Sequence, residues 1–244
     1  MGDVVSYPCG LNGQDVVGAG ITGIVARLDA VIKFVGSSKQ FRYQLMERER
    51  RVYERLGPEY RGVLRYYGSI GDALILQYAS NGSIRQYFAS QTGPVPLYLR
   101  LRWILQITTS VAFIHTKNIK HGDISCNNVF LDEKLNAKLG DFGGSPIDDE
   151  PSLICYETSH ELPDHENVLE RSEICALGST FYEIMTRSKP YQGLSDDAIY
   201  KAYSQRTFPN VASLPAFRHV ITQCWGQSYT CIEDLLQDVE AEGR

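Results

Sequence analysis

The chain has 244 residues, 43% hydrophobic and 22% charged, with 24 basic side chains against 29 acidic ones and a formal charge of −5. This is the balance of a globular protein long enough to bury one large core or two small ones. It argues against a nucleic-acid partner, which needs a basic footprint, and no stretch reaches the roughly 18 consecutive apolar residues of a membrane span.

Residues 1–12 carry no basic region followed by an apolar run, so no secretory signal is read there. The first third then reads as short β-branched strands bounded by Gly, Asp and Ser: Val16-Val17, Ile24–Leu28 and Ala30–Val35. A helix rich in Glu and Arg is predicted over Lys39–Leu56, stopped by Gly57-Pro58. Strands are expected again at Val63–Tyr67 and Ala73–Tyr78, with a hinge near Gln77–Gly82. Beyond it the texture turns helical. Leu97–Lys117 has apolar residues at 104, 107, 111 and 114, the spacing of a buried helix face. Ile174–Thr186, Ala216–Trp225 and Ile232–Ala241 also read as helices. The expected architecture is α+β and bilobal, one domain over residues 1–244. Its small β-rich lobe with one helix covers about 1–79, and its larger helical lobe about 80–244. The six cysteines, at 9, 126, 155, 175, 224 and 231, show no C-x-x-C pair or zinc-like spacing. A reducing compartment fits them, the cytoplasm first and the nucleus second.

Four motifs carry chemistry. G-x-G-x-x-G at Gly18, Gly20 and Gly23 is weak alone, since hairpins and dinucleotide sites share it. Here a strand-like segment follows at once, where a dinucleotide fold would open a helix. Glycines in such a strand–turn–strand loop let backbone amides approach phosphate oxygens, because no Cβ blocks them; a plain structural turn stays open. Lys33, eight residues beyond Val25, lies inside Val31–Val35. It is either a solvent-facing strand residue or a buried ammonium that needs a carboxylate, and the helix offers Glu47, Glu49 and Glu54. In His121–Leu131, Asp123 and Asn128 stand five residues apart, able to divide proton acceptance from metal ligation. Asp141, thirteen residues on in Lys138–Gly144, is a hard oxygen ligand of the kind that suits Mg²⁺.

Gly18…Val25, Val31-Ile32-Lys33, His121-x-Asp123…Asn128 and Asp141-Phe142-Gly143 resemble, in this order, the signature set of eukaryotic protein kinases. Leu76–Ile84 resembles that family's inter-lobe hinge. Ser172–Gly178, continued by Tyr182-Glu183 and Lys189-Pro190-Tyr191, resembles its central helix, and Cys224-Trp225 a late helix. Nearly the whole chain is covered, and it also resembles the short single-domain kinases of filamentous fungi. The resemblance implies an ATP- and Mg²⁺-dependent enzyme acting on a protein substrate. Lys33 would contact the α- and β-phosphates and Glu49 would pair with it. Asp123 would be the catalytic base, and Asn128 and Asp141 the metal ligands. Val25, Val31 and Phe130 would sandwich adenine, with backbone groups of Gln77 and Ala79 at its edge and Leu76 behind it. Tyr53, Tyr66, Phe142 and His121 would form an internal column joining the lobes.

The chain departs from the family pattern in four places. Gly122 stands where an arginine usually binds an activation-segment phosphate, so activity independent of that phosphorylation is expected. Ser125 replaces the usual lysine of serine/threonine kinases, and Asn127 the arginine of tyrosine kinases. One cation of the transition state is then missing, and turnover below the roughly 1–100 s⁻¹ of typical kinases is expected. Leu162-Pro163-Asp164 replaces Ala-Pro-Glu, residues 226–243 hold no Arg or Lys to pair with that acid, and Glu173 replaces an Asp that bonds backbone amides. Val31 and Phe130 should narrow the nucleotide slot. The run Asp148-Asp149-Glu150 reads as a solvated loop tip or as an attractor of basic substrate. An active kinase leads; a pseudokinase that binds nucleotide without transfer and a small-molecule kinase are the alternatives. The last also fits because His121-Gly122-Asp123 with Asn128 resembles antibiotic and choline phosphotransferases.

Overall fold

A computed structural model describes residues 13–20, 23–36, 39–163 and 168–243. Strands β1 (Val16–Gly20) and β2 (Gly23–Ala26) form an antiparallel hairpin in which Gly18 faces Val25 and Gly20 faces Gly23. The glycines of the motif therefore lie on two paired strands; residues 21 and 22 between them lie outside the described residues. A three-stranded antiparallel sheet follows, ordered β3 (Ala30–Lys33), β5 (Ala73–Gln77), β4 (Tyr66–Ile70).

Helix α1 (Gln40–Leu56) buries Met46, Glu49, Val52, Tyr53 and Leu56, a stripe spaced three and four apart. It lies against β5, whose Leu74 and Leu76 are also buried. Gly57 ends the helix as predicted. Its φ of 73° lies in the left-handed region open to glycine, and its N–H donates to the Tyr53 carbonyl at 3.1 Å.

The strand predicted over 63–67 is displaced. Leu64 N–H donates to the Leu139 carbonyl at 2.8 Å and Leu139 N–H to the Gly62 carbonyl at 2.9 Å, so residues 62–64 are claimed by the helical lobe. The strand proper begins at Tyr66 and turns at Gly71-Asp72, where Ile70 pairs with Ala73.

In the larger lobe, α3 (Leu97–His115) presents the predicted face, with Ile104, Ile107, Val111 and Ile114 all buried. Helix α4 (Glu170–Thr186) begins four residues before the predicted start at 174 and buries 13 of its 17 residues, as a helix enclosed on every side must. It packs on α6 (Arg218–Gly226), and α7 (Ile232–Glu242) packs on α3. Two short helices were not anticipated: α2 (Ile84–Ser90) and α5 (Asp196–Ser204). Ser83 and Gln86 cap α2 reciprocally, hydroxyl to N–H and amide oxygen to N–H. Ser195 caps α5. Both depend on caps more than on length or periodicity.

The hairpin of β6 (Val129–Leu131) and β7 (Ala137–Leu139) positions the site. Pairing antiparallel, it brings the residue before β6 beside the residue after β7: Gly140 N–H donates to the Asn128 carbonyl at 3.1 Å. The molecule is a bilobal α+β fold with its motifs gathered where the lobes meet.

The α4–α6 contact is close enough to test. A methyl on Gly178 would lie 2.6 Å from the Cys224 Cβ. Gly178→Ala gains up to about 1 kcal/mol of helix propensity but must push α6 aside. A net loss of about 1–3 kcal/mol is expected from such overpacking, read from the urea midpoint. A raised midpoint would show that the two helices separate easily.

Candidate active site

Lys33 lies at the end of β3, and its Nζ donates to Glu49 Oε2 at 2.6 Å and to Asp141 Oδ1 at 2.8 Å. Of the three acids offered by α1, only Glu49 faces the sheet. Glu47 and Glu54 are exposed and both pair with Arg50. Burial works against the charged form of Lys33, but the adjoining charges of Glu49 and Asp141 outweigh it and hold the ammonium above its usual pKa. Asp141 is likewise opposed by burial and still held below the usual carboxylate range by Lys33.

Asp141 has φ of 63°, a left-handed conformation uncommon for a residue with a side chain. It turns the chain so that the carboxylate faces Lys33 while Phe142 is fully buried. The Phe142 ring meets Tyr53 edge-on at 5.3 Å and His121 at 4.9 Å, and Tyr53 stacks on Tyr66 at 5.7 Å. The four rings named as a column thus touch in sequence, from β4 through α1 to the 121–128 loop.

On that loop, Asn128 Nδ2 donates to the Asp123 carbonyl at 2.8 Å and to Asp123 Oδ2 at 2.7 Å. Burial pushes the Asp123 carboxyl up to about 6, against the pull of His121 and of the Asn128 bond. Beneath the loop, the buried Glu173 carboxylate accepts from the backbone N–H groups of His121 at 2.8 Å and Gly122 at 2.9 Å, and pairs with His115 Nε2 at 2.6 Å. The extra methylene relative to aspartate preserves the expected backbone bonds. Burial opposes the Glu173 charge, but these partners keep its pKa below the usual range, and His115 is raised in turn despite its own burial.

The predicted nucleotide contacts are spread around these groups. Val25 and Val31 are exposed on β2 and β3, while Phe130 is partly buried on β6. The Asn81 N–H donates to the Leu131 carbonyl at 3.2 Å and the Leu131 N–H to Gly82 at 2.8 Å, so the hinge is tied to β6. Gln77 N–H is taken by the Arg65 carbonyl at 2.8 Å. A cavity of about 880 Å³ opens elsewhere, behind the hinge, lined by Tyr60, Arg65, Gln77, Asn136 and Lys138 among others. Gln77 alone links it to the predicted contacts.

At Gly122, φ is 78° and a Cβ would meet Pro146 and Ser152 at 3.2 Å, so a side chain here would be strained and tightly packed on this backbone. Ser125 is buried and its hydroxyl accepts from Asn127 N–H at 3.3 Å. Asp164 lies outside the described residues. The 148–150 run is an exposed tip, but two of its acids are engaged: Glu150 pairs with Arg48 and Arg51, and Asp148 with Arg55. The sequence reading also missed a cluster beside the loop. Arg85 donates to both Glu183 oxygens at 2.8 and 2.9 Å and to Glu157 at 2.6 Å, with Lys189 3.2 Å from Glu157. These partners are 32 to 98 residues apart, and no local pattern announces them.

Residues 17–231 match the family model for protein tyrosine and serine/threonine kinases. The chain belongs to this family, within the eukaryotic protein kinase superfamily. Among its relatives are the serine/threonine/tyrosine-protein kinase HT1 of Arabidopsis thaliana and the serine/threonine-protein kinase Nek3 of Mus musculus. HT1 is 25% identical over 170 residues, 64% of this chain and 42% of that protein; Nek3 is 30% identical over 130 residues, 50% and 25% respectively. The tyrosine-protein kinase FRK of Homo sapiens is 25% identical over 167 residues, 62% of this chain and 33% of FRK. The chain spans less than half the length of each of these relatives.

The Asn128 bond lowers the Asp123 pKa, so removing it leaves burial less opposed. In Asn128→Ala the Asp123 carboxyl should titrate above its wild-type midpoint of about 6, followed by carbon NMR of the side-chain carboxyl. An unchanged or lower midpoint would mean that the bond is not formed in solution.

Proposed function

We propose that the chain transfers the terminal phosphoryl group of Mg-ATP to the hydroxyl of a protein side chain, serine or threonine first, without phosphorylation of its own activation segment. The observation that carries this reading is Lys33 held between Glu49 and Asp141, beside an Asp123 fixed by Asn128. Two carboxylates and one ammonium leave this corner negative, which suits a divalent cation. Asn128 turns its amide nitrogen to Asp123, so its carbonyl oxygen is the group left to face such an ion, and Asp141 supplies a hard carboxylate. When bound, Mg²⁺ would neutralise charge developing on the phosphate oxygens.

The chain's own residues divide the remaining work. Lys33 directs a positive charge at the α- and β-phosphates, and Glu49 holds it there. Gly18, Gly20 and Gly23 let backbone come close to phosphate, while Val25, Val31 and Phe130 offer apolar surface to the base. Gln77 and Ala79 would meet the base edge with backbone groups; among the described residues nothing accepts the Ala79 N–H. Asp123 accepts the proton of the attacking hydroxyl and aims its oxygen. Glu173, by gripping two amides of the loop, keeps Asp123 in place.

Gly122, which offers no guanidinium and whose left-handed backbone disfavours a side chain, supports independence from an activation-segment phosphate. The relatives' names divide between serine/threonine and tyrosine enzymes; Asn127, where tyrosine kinases carry arginine, favours the former. Buried Ser125 leaves the site short of one cation, so turnover is expected below the roughly 1–100 s⁻¹ of typical kinases. The reading includes residues 1–79 and 80–244 as the two lobes of one domain, and a cytoplasmic site of action. Among the described residues no helix is long and apolar enough to cross a membrane.

Labelled ATP with Mg²⁺, a basic acceptor protein and small hydroxyl compounds should give label on protein. Asp123→Asn should lose about 10²–10⁴-fold, the worth of a positioned base. Label on small molecules alone would instead make this a small-molecule kinase. Binding without transfer would make it a pseudokinase. Because the base must be ionised, kcat/KM should rise with pH through about 6, the Asp123 value, and fall about tenfold per unit below it. Phosphatase treatment should leave activity intact; its loss would restore a phosphorylation switch.

A further inference from the structure

Helix α1 works with two faces. One carries Glu49 and Tyr53 towards Lys33 and the aromatic column. The other carries Arg48, Arg51 and Arg55, spaced three and four apart and so aligned on one stripe. All three reach the segment that follows Asp141-Phe142-Gly143. Arg48 is buried and donates to Glu150 Oε2 at 2.9 Å, to the Ser145 carbonyl at 2.7 Å and to the Pro151 carbonyl at 3.0 Å. Arg51 donates through both terminal nitrogens to the same Glu150 carboxylate. Arg55 grips Asp148 with two bonds, at 3.0 and 2.9 Å.

The segment is in turn fastened to the helical lobe. Ser145 Oγ donates to the His121 carbonyl at 2.7 Å, Lys120 N–H to the Pro146 carbonyl at 3.1 Å, and Asp148 N–H to the Asn118 carbonyl at 2.9 Å. At Gly143 the chain passes so close to α1 that a Cβ would stand 3.4 Å from the Leu45 carbonyl oxygen. The arginine stripe is therefore an ion-paired tie between the lobes, adjoining the helix face that presents Glu49. Where the family resemblance expects an arginine awaiting a phosphate, Gly122 is packed by Pro146 and Ser152. The cations are on α1 instead, and carboxylates encoded in the chain already occupy them.

We propose that Glu150, with Asp148 in support, is a positioning residue: a permanent anion that holds α1 through Arg48, Arg51 and Arg55 so that Glu49 stays on Lys33. This rests on the kinase reading above and names what takes the place of the phosphate switch. Glu150 touches neither Lys33 nor Asp123 among its described partners, so its effect must pass through the helix. Removing its charge frees α1 to move, and the fraction of molecules with Lys33 and Glu49 paired falls.

The test is Glu150→Gln in the full chain, measured two ways. Hydrogen exchange reports on α1 without requiring activity, and steady-state kinetics separates kcat from KM. Amides of residues 40–56 should exchange faster, those of α4 should not, and kcat should fall about tenfold, the size of losing one hydrogen bond between charged groups. Glu150→Ser bearing a phosphate should recover most of that kcat, because an anion is restored at the same point. Wild-type exchange and kcat in Glu150→Gln would overturn the proposal. So would faster exchange throughout α4, which would mark general destabilisation, or failure of the phosphorylated serine to rescue. Should the wild type transfer no phosphate at all, the kinase reading falls by itself, and exchange at residues 40–56 still decides whether Glu150 holds the helix.

Discussion

The Lys33 ammonium is the point on which the site depends. It is contributed by β3, met by Glu49 from α1, and met again by Asp141 from the turn after β7. Three elements distant in sequence must be correctly placed for the contact to exist. The Lys33 ammonium is partly open to solvent, so the severest penalty falls on Glu49, whose buried carboxylate needs a cation beside it. Glu49 is almost fully buried and, among the described residues, is ion-paired with Lys33. Withdrawing α1 would take from Lys33 one of its two carboxylates. The Glu49 bond joins α1 to the sheet within the small lobe, and the Asp141 bond carries the same ammonium across to the larger lobe.

A second buried charge does comparable work in the larger lobe. Glu173 lies within α4, enclosed on every side, and spends its oxygens on backbone amides of the 121–123 turn and on His115. A neutral amide there could still accept from both backbone N–H groups, but it would not supply the charge that strengthens those bonds and raises His115. With Glu173 below and the Phe142–His121 contact beside it, the loop that carries Asp123 and Asn128 is held from two sides.

Much of this was legible in the sequence, for reasons of locality. The glycine hairpin, the stop at Gly57, the buried face of α3 and the order of Lys33, Asp123, Asn128 and Asp141 are all written in neighbouring residues. What failed had distant causes. The strand assigned to 63–67 looked complete, but Leu64 is hydrogen-bonded to Leu139, 75 residues on, and pairing rather than propensity decided its place. Helices α2 and α5 are too short for periodicity to reveal, and only their serine caps mark them. The choice among Glu47, Glu49 and Glu54 could be narrowed by resemblance, yet what removes Glu47 and Glu54 physically is Arg50, which pairs with both. The acidic run at 148–150 was the clearest loss: nothing local distinguishes a solvated tip from an anion bound by arginines about a hundred residues earlier.

That run also bears on what kind of control the protein can have. A phosphate brings a charge of about −1.5 to −2 and can be removed; a carboxylate brings one charge and cannot. Arg48 is the most deeply held of the three arginines that meet these carboxylates. Its guanidinium is buried, and besides Glu150 it donates to two backbone carbonyls of the same segment, Ser145 and Pro151. Those donors are therefore already engaged by the segment, and Pro146 and Ser152 lie close beside Gly122. The half-exposed Arg51–Glu150 and Arg55–Asp148 pairs remain open to screening by salt, but the buried arginine does not. The negative charge that the segment offers to α1 is thus part of the chain itself, carried by Glu150 and Asp148.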